Sequence, residues 1–543
     1  MNRFARFAAI ATLVGAATAT SASATTYYIA ASGSDSNDGK STSSPWQHAP
    51  GMPNCTGTCA STAPQAGDRF IFRGGDSWHF KAGTAPAVGG TWGWTWSGTS
   101  GSHIYIGVDK SWSAGSSWKR PVLNLDNPPS KSFVSSCLFD ESNFIGVDLH
   151  TSSFLDFDNF DFTGRCNSSP PSFNKATYIY RGGTFVQIEN SYFHGWTETN
   201  NPQPNGAGSP NDGGFAIGGS SSNNISHNVQ AYDVFDGSDS YCNGDNACMG
   251  WILYSDAYDV HNCIFRYVSN AINSPANTAF IHDNLFEFIY ESYDPSAHGG
   301  VIENYGNGLG SSPELIYNNV FRHINMGVTV NPNLGDGGLY LFNNVFYDVA
   351  NGGNCISIGG ATATNPISVH VTNNTLDGST SVCGFRFTGP STGARGNFNG
   401  TAYYQNNHII ASGQTKVSSL VNIASGVSAT IVDNGSNIFQ TEAAANSQGY
   451  TSGSAYAPSN GGATVGAGAN LTSSCATYSS DSALCKGTTL AVAMGAGSEP
   501  IYPALSPAAR PSSGSWDAGA YSSGSSANNT IPNPPSALLA VVQ

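Results

Sequence analysis

Two carboxylic acids near the middle of the chain, Glu303 and Asp256, have side chains suited to general acid and base chemistry. Glu303 belongs to the short apolar segment GVIEN at 300–304. A carboxyl group in apolar surroundings is desolvated, which raises its pKa and prepares it to donate a proton. His298 lies two residues before this segment and could orient a substrate or move a proton, although a histidine in a loop is more often simply exposed.

A second group of acids indicates cation binding. The segment DVFDGSDSYCNGDNAC at 233–248 contains four aspartates: Asp233, Asp236, Asp239 and Asp245. Clustered carboxylate oxygens are the ligands that Ca²⁺ prefers, so the segment predicts a Ca²⁺ site. The alternative is a solvated loop that a disulfide between Cys242 and Cys248 closes.

Both groups lie within a repeated pattern that runs from Gly213 to Phe387. Each copy of the repeated phrase has one or two polar residues, often Asn-Asn, followed by an apolar pair, as in NNVF at 318–321 and again at 343–346. The steps between copies are roughly 20 to 40 residues, which is typical of a solenoid. Aligned on the second letter of the phrase, the copies place eight residues at one position: Ser191, Asn228, Cys263, Asn284, Asn319, Asn344, Asn374 and Asn407.

A short apolar run, rich in β-branched and aromatic residues and bounded by Gly or Asn, precedes most copies, which is typical of a strand and a turn. No window in this region keeps apolar residues at helical spacing. We therefore predict an all-β fold, a right-handed parallel β-helix whose coils stack at roughly 4.8 Å. Stacked asparagine amides could then hydrogen-bond from coil to coil.

The strand alignment also gives Glu303 its neighbours. A shift of one residue would instead leave Glu303 on the outer face, because successive side chains of a strand point to opposite sides. If Glu303 instead lies in the apolar column, Asp256 is two coils away from it, roughly 9.6 Å along the axis. That separation is near the roughly 6.5–9.5 Å between the carboxyl groups of an inverting glycoside hydrolase. The other members of the Glu303 column are Ile217, Leu253, Asn273, Val330, Ile358 and Phe387.

Residues around the aligned strands of neighbouring coils would form one surface patch. Long insertions flank these coils, for example at 197–212 and 290–299, and long loops on a rigid scaffold often bind ligands. We therefore predict a groove with five substrate-binding residues: Asp212, Tyr254, Asn304, Tyr305 and Asn331.

Residues 1–24 have the pattern of a secretory signal peptide, with Arg3 and Arg6, an apolar run and a final Ala-Ser-Ala. We therefore expect a secreted protein, extracellular or periplasmic. The formal net charge of −15 disfavours nucleic acid as a partner. The apolar end of the chain is too short to span a membrane, so we expect no membrane span, and a monomer is expected.

Ten of the eleven cysteines fall into pairs that are near in sequence or in the repeat, and secreted proteins commonly form disulfides. Cys263 stands in the asparagine column, where we expect a buried, inert thiol. The predicted disulfides are Cys55–Cys59, Cys137–Cys166, Cys242–Cys248, Cys355–Cys383 and Cys475–Cys485.

The chain divides into five segments. After the signal peptide we predict an N-terminal cap and first coils over 25–135, β-helix coils over 136–440, a β-rich cap over 441–522 and a disordered tail over 523–543. The first of these contains a Trp-rich insertion, whose rings could stack on sugars or could pack a core. The tryptophans are Trp92, Trp94, Trp96, Trp112 and Trp118.

The segments YYIAASGSDSNDGKSTSSPWQ from Tyr27 and AGDRFIFRGGDSW at 66–78 resemble the N-terminal part of right-handed parallel β-helix proteins that act on polysaccharides, including the family 9 pectate lyases. SWDAGAY at 515–521 is similar to the end of such chains. The resemblance implies a Ca²⁺ site and a basic residue that removes a sugar proton. The sequence departs from it there, because Lys175 is the only Lys between Lys131 and Lys416 and lies outside the aligned coils.

Arg266 follows an aligned phrase and could replace the missing lysine, although an arginine is a poor base. The favoured prediction is a secreted protein that cleaves an extracellular polysaccharide as a Ca²⁺-assisted lyase. Two alternatives stay open: a glycoside hydrolase with a carboxylate pair, and a polysaccharide-binding or surface adhesin protein without catalysis.

Overall fold

The structure of the chain is a computed structural model, and every structural statement below concerns its described residues. These are residues 23–81, 83–132, 134–140, 144–167, 178–199, 216–218, 225–240, 255–268, 271–274, 279–289, 300–304, 313–330, 338–349, 354–358, 367–378, 384–387, 399–411, 413–425, 427–454, 456–458, 461–478, 482–488 and 509–523. The predicted signal peptide and the predicted tail after Ser523 therefore lie almost wholly outside the described residues.

The chain forms a right-handed parallel β-helix, which confirms the predicted fold class. Every pairing between its described strands is parallel, because successive coils add their strands to the same sheets in the same direction. The first sheet is the longest. Its strands are Thr26–Ile29, Arg69–Gly74, Ile104–Ser113, Ile145–Asp158, Tyr178–Glu189, Ile225–Ala231, Ser255–His261, Ala279–His282, Glu314–Tyr317, Leu339–Phe342, Ile367–Thr372, Asn399–Gln405 and Ser428–Asp433, with Trp92–Gly93 and Ala216–Gly218 paired beside this series.

Two further sheets complete the coils, and a separate two-stranded sheet pairs Arg165–Asn167 with Trp196–Glu198. The second sheet contains Ser77–His79, Val122–Asn124, Asp161–Thr163, Tyr192–His194, Val234–Asp236, Ile264–Arg266, Leu285–Ile289, Val320–Ile324, Val345–Val349, Thr375–Asp377, His408–Ile410 and Ile438–Gln440. The third sheet contains Ile272–Ser274, Gly300–Asn304, Met326–Val330, Asn354–Ile358, Gly384–Phe387 and Val421–Ile423.

The corner between the first and second sheets is made by one residue with left-handed backbone in each coil, such as Asn318 with φ of 54°. Asparagine tolerates this conformation better than most residues, which explains the first Asn of the repeated phrase. The second Asn points into the coil. Asn284, for example, accepts a hydrogen bond from the backbone N–H of Cys263 at 2.8 Å and donates to Asn319 Oδ1 at 3.0 Å and to the Val260 carbonyl at 2.9 Å.

The inward ladder of asparagines is therefore confirmed, but one predicted member is wrong. Asn228 lies on a first-sheet strand and accepts a hydrogen bond from the Val186 N–H at 2.9 Å. Asp233 holds the ladder position in that coil, where it follows the left-handed residue Tyr232 and precedes a second-sheet strand. The segment HNV at 227–229 has the letters of the repeat, but it does not lie at the corner between the first and second sheets.

Stacked phenylalanine rings fill the core beneath the second sheet. The ring centroids of Phe193 and Phe235 are 4.4 Å apart, and those of Phe321 and Phe346 are also 4.4 Å apart. Each of these rings lies two residues after a ladder position. Successive side chains of a strand point to opposite faces, so the ladder residue and the ring both point inward and the residue between them points outward. The ladder and the ring stack thus repeat together and set the register of every coil.

The described helices are short: α1 (Gly57–Ser61), α2 (Glu442–Ser447) and α3 (Cys475–Tyr478). None of them is long and apolar enough to cross a membrane. Where the sequence predicts a β-rich cap, the described residues form α2, α3, short 3₁₀ turns and isolated bridges. Part of this C-terminal segment packs on the outer face of the second sheet, where Tyr450 and Ala520 join a cluster that includes Val345.

Three predicted disulfides are formed among the described residues: Cys55–Cys59, Cys137–Cys166 and Cys475–Cys485. Cys355 is disulfide-bonded, but Cys383, like Cys242 and Cys248, lies outside the described residues, so the two corresponding pairs stay predictions. Cys263 is a buried free thiol, as expected. Of the five tryptophans, Trp92 and Trp94 are buried in the core, whereas Trp112 and Trp118 are half-buried.

Candidate functional site

Glu303 and Asp256 lie on different sheets and do not share a column. Glu303 is on the third sheet, level with Asn273 in the preceding coil and with Thr329 in the next. The predicted column was wrong by one residue, since Val330 is level with Asn304. Asp256 is on the first sheet. The spacing argument for an acid and base pair therefore loses its basis, because it required one column.

Several other candidates lie outside the described residues: Asp212, Asp245, Tyr254, His298, Tyr305 and Asn331. For Asn304, as for Glu303 and Asp256, the structure describes the backbone only. Their assignment to a substrate site stays a prediction.

The three described aspartates of the predicted Ca²⁺ site do not fit one ion. Asp233 is fully buried inside the coil, and burial raises its pKa well above the ordinary value, which favours its neutral form. Asp236 lies on the outer face and binds Arg266 Nη2 at 2.7 Å. Asp239 binds His194 Nδ1 at 2.7 Å. The described residues contain no group of three or more such ligands placed to hold a metal.

Arg266 is held in an ion pair and does not fit the predicted role of a base. Burial lowers its pKa, but the nearby carboxylates of Asp236 and Glu287 outweigh this effect and raise the pKa above the ordinary value. A guanidinium with such partners keeps its proton. The resemblance to lyases with a basic catalytic residue therefore finds no counterpart at this position.

Arg266 is one member of a charged column on the outer face of the second sheet. Each member lies three residues after a ladder position, and neighbouring members are level in adjacent strands. In this column the guanidinium of Arg322 donates to Glu287 Oε2 at 2.8 Å and approaches the Tyr347 hydroxyl at 3.4 Å. The column contains His194, Asp236, Arg266, Glu287, Arg322 and Tyr347.

At the end of this column the second sheet and the C-terminal segment enclose a cleft of about 650 Å³, which we call the cap cleft. The sheet supplies one wall, and α2 with the turn after it supplies the other. The N-terminus of α2 is fixed by Thr441, whose hydroxyl accepts a hydrogen bond from the Ala444 N–H at 3.2 Å. The cleft is lined by His323, Tyr347, Asp348, Asp377, Ile410, Glu442, Asn446, Tyr450, Thr451, Ser452, Gly453 and Tyr456.

Three buried tyrosines lie beneath the surface of the cap cleft, and each hydroxyl has a partner. Tyr450 bonds Thr464 Oγ1 at 2.6 Å, Tyr347 contacts Arg322, and Tyr456 donates to Asp377 Oδ2. Burial, followed by the bonded carboxylate of Asp377, raises the pKa of Tyr456. Tyr456 is therefore the donor in this bond, and the bond fixes the orientation of the Asp377 carboxyl group.

Three carboxyl groups reach the same cleft from two walls. Asp377 ends a second-sheet strand and is only 7% exposed. The side chain of Asp348 is 51% exposed and binds the imidazole of His323. Glu442 is exposed at the start of α2, on the opposite wall. Carboxyl groups on both sides of an aromatic cleft can give and take protons on either side of a bound chain.

The sequence analysis did not single out Asp348, Asp377 or Glu442. A signal existed for Asp377, because it lies three residues after the ladder residue Asn374, at the spacing that also relates Arg322 to Asn319. Reading that outward column would have shown a series of charged and aromatic side chains. For Glu442 no such signal exists, since its wall depends on how the C-terminal segment packs against the sheet.

No protein family matches the chain, and no curated protein matches it. Among solved structures it is similar to a rhamnogalacturonan lyase, with 13% identity, a TM-score of 0.41, and coverage of 76% of this chain and 87% of that one. It is similar to the pectate lyase Pel9A, with 16% identity, a TM-score of 0.36, and coverage of 92% and 96%.

A third similar structure is a GH136 lacto-N-biosidase from Eubacterium ramulus, with 10% identity, a TM-score of 0.39, and coverage of 77% of this chain and 68% of that one. The names of these three proteins include both lyases and a biosidase. At such identities and TM-scores the similarities carry no information on the reaction or the substrate.

Proposed function

We propose that the protein is secreted, binds an extracellular polysaccharide in the cap cleft and hydrolyses it with carboxyl groups. The observation that carries the proposal is the meeting of Asp377, Asp348 and Glu442 in one cleft. A pair of carboxyl groups is the usual machinery for cleaving a glycosidic bond.

In this proposal Asp377 acts as the carboxylate that attacks the sugar or activates water. The hydroxyl of Tyr456 donates a hydrogen bond to it and fixes its orientation. Glu442, on the opposite wall, protonates the leaving oxygen of the glycosidic bond. Asp348 and its partner His323 bind sugar hydroxyl groups at the edge of the cleft.

Hydrolysis is favoured over Ca²⁺-assisted elimination by the carboxyl groups that line the cap cleft and by the partners of the predicted Ca²⁺ ligands. Elimination from a uronate needs a cation that neutralises the sugar carboxylate and a base that removes the neighbouring proton. No Lys or Arg is among the described residues that line the cap cleft. Of the four predicted Ca²⁺ ligands, Asp233 is buried inside the coil, and Asp236 and Asp239 already bind the side chains of Arg266 and His194.

The disulfides support an oxidising, extracytoplasmic location. The charged column leading to the cleft supports catalysis over simple adhesion, because it fixes the position of Tyr347 through buried ion pairs that a plain binding surface would not need. Buried ion pairs cost desolvation energy and often serve to specify one arrangement.

The test is to incubate the purified protein with a panel of neutral, basic and acidic polysaccharides, with Ca²⁺ and then with EDTA. Reducing ends and the ultraviolet absorbance of unsaturated uronates are measured together. We expect reducing ends without absorbance, insensitive to EDTA, and lost in Asp377→Asn but kept in Asp109→Asn, which changes an exposed aspartate in the first coils. Absorbance that EDTA abolishes would replace hydrolysis by elimination.

A further inference from the structure

We infer that the polysaccharide taken by the cap cleft is positively charged and carries protonated amino groups on its sugars. This inference rests on the proposed function and names the substrate class of the same site. It follows from the charge of the cleft, from the ion pair that already holds the nearest described cation and from the acidic character of the rest of the chain.

The charge of the cleft is negative under any protonation of its histidine. Asp348, Asp377 and Glu442 contribute three carboxyl groups, whereas His323 is the one basic side chain among the described lining residues. Even if Glu442 is protonated for its role as the acid and His323 is protonated as well, ionised Asp348 and Asp377 leave an excess of negative charge. A cleft with walls of low dielectric constant strengthens such a field and concentrates ligands of opposite charge.

The described cation beside the cleft is already bound and cannot offset this charge. Arg322 is 1% exposed, and its guanidinium is shared between Glu287 and the hydroxyl of Tyr347. A sugar carboxylate entering the cleft would therefore meet carboxylates without a free guanidinium or ammonium among the described lining residues. Like charges brought together in a cleft oppose binding, so a polyuronate is disfavoured.

The rest of the chain extends the same field. Residues 133–543 contain ten Lys or Arg and twenty-nine Asp or Glu, whereas residues 23–132 contain eight Lys or Arg and six Asp. The part of the chain that builds the cap cleft is thus strongly acidic. A long cationic chain would be attracted to it before it reaches the cleft, and this attraction would weaken as salt increases.

The test measures binding of three oligosaccharides by calorimetry: a glucosamine hexamer, an N-acetylglucosamine hexamer and a galacturonic acid hexamer. We expect the glucosamine hexamer to bind at least about 10-fold more tightly than its acetylated counterpart, and the galacturonic acid hexamer to bind least. The preference should shrink as salt increases. Asp348→Asn should weaken glucosamine binding about 3-fold or more, while Asp109→Asn should not change it.

Equal binding of the glucosamine and N-acetylglucosamine hexamers would overturn the inference, and so would tighter binding of the galacturonic acid hexamer. If the protein then hydrolysed a polysaccharide without amino groups and lost this activity in Asp377→Asn, the proposed function would still stand. If no oligosaccharide bound and no polysaccharide of the panel was cleaved, the inference and the proposed function would both fail.

Discussion

Asp233 Oδ1 accepts a hydrogen bond from the backbone N–H of Ser191 at 2.7 Å, in the ladder position that asparagine holds in later coils. The other carboxyl oxygen of Asp233 is buried without a hydrogen-bond partner among the described residues. In later coils the asparagine side-chain N–H₂ group donates to a carbonyl of the preceding coil, as Asn344 does to Ile316. A protonated carboxyl group can imitate this donor, whereas a carboxylate cannot.

Asp233→Asn should therefore stabilise the protein. The raised pKa of Asp233 means that the folded state binds a proton which the unfolded state releases above about pH 4. The free energy of unfolding of the wild type should thus fall as pH rises from about 4 through the folded-state pKa. We expect a gain of about 1–3 kcal/mol at pH 7, shrinking toward pH 4, in urea unfolding of the variant.

The matched control is the reverse change in a complete coil. Asn344 donates to Ile316 O at 2.8 Å and to Asn374 Oδ1 at 3.0 Å. Asn344→Asp would remove the side-chain N–H₂ donor unless the new carboxyl group were protonated. It should destabilise the protein by about 1–3 kcal/mol at pH 7. Stabilisation by Asn344→Asp, or destabilisation by Asp233→Asn, would contradict the protonated ladder position.

A second prediction concerns the buried ion pair beside the cap cleft. Arg322→Met would leave Glu287 buried without its main cation, and removing one partner of such a pair costs about 3–5 kcal/mol. Replacing Glu287 by Met as well should restore most of this stability. Thermal unfolding of the two variants measures the difference, and equal stability of the single and double variants would show that the pair is not coupled.

A third prediction concerns pH above neutrality. Burial lowers the pKa of His194, but hydrogen bonds to Asp161 and Asp239 outweigh this and raise it to about 9. The folded state holds its proton more tightly than the unfolded state, whose histidine pKa is about 6.5. The contribution of His194 to stability is therefore complete below about pH 6.5 and is lost as pH rises through 9.

His194→Gln should accordingly reduce the fall in unfolding free energy between pH 6.5 and 9, by about 1–3 kcal/mol over this range. His150→Gln, which changes a histidine with a side chain 49% exposed, serves as the control. If both variants keep the wild-type pH profile of chemical unfolding, the double ion pair of His194 does not contribute as described.

A fourth prediction concerns Cys263, the free thiol of the ladder. Its sulfur lies 3.7 Å from the Gln230 carbonyl, and burial raises its pKa well above the ordinary value. A buried protonated thiol is a poor nucleophile, so a thiol-specific chromogenic reagent should not react with it in the native protein and should react after denaturation. Rapid labelling under native conditions would contradict its position in the core.

The parallel β-helix could be predicted because its determinants repeat along the sequence. Each Asn of the phrase has a separate structural demand, left-handed backbone for the first and hydrogen bonds between coils for the second. The error at Asn228 arose because the ladder position does not require Asn, and Asp233 and Cys263 both occupy it. Position relative to the left-handed corner residue is a better guide than the letter itself.

The candidate site was harder to predict because its register and its second wall are set by tertiary packing. A shift of one residue moved Glu303 from an apolar column to a polar one, since side chains alternate along a strand. Glu442 reaches the cap cleft only because α2 folds back onto the second sheet. No local pattern in the sequence encodes that contact.

The most direct test of the account is the initial rate at which the wild type, Asp377→Asn and Glu303→Gln release reducing ends from a glucosamine polymer. We predict a loss of about 100-fold or more in Asp377→Asn and a change of less than about 2-fold in Glu303→Gln. Retained activity in Asp377→Asn together with its loss in Glu303→Gln would contradict the cap cleft as the site and would place the chemistry on the third sheet.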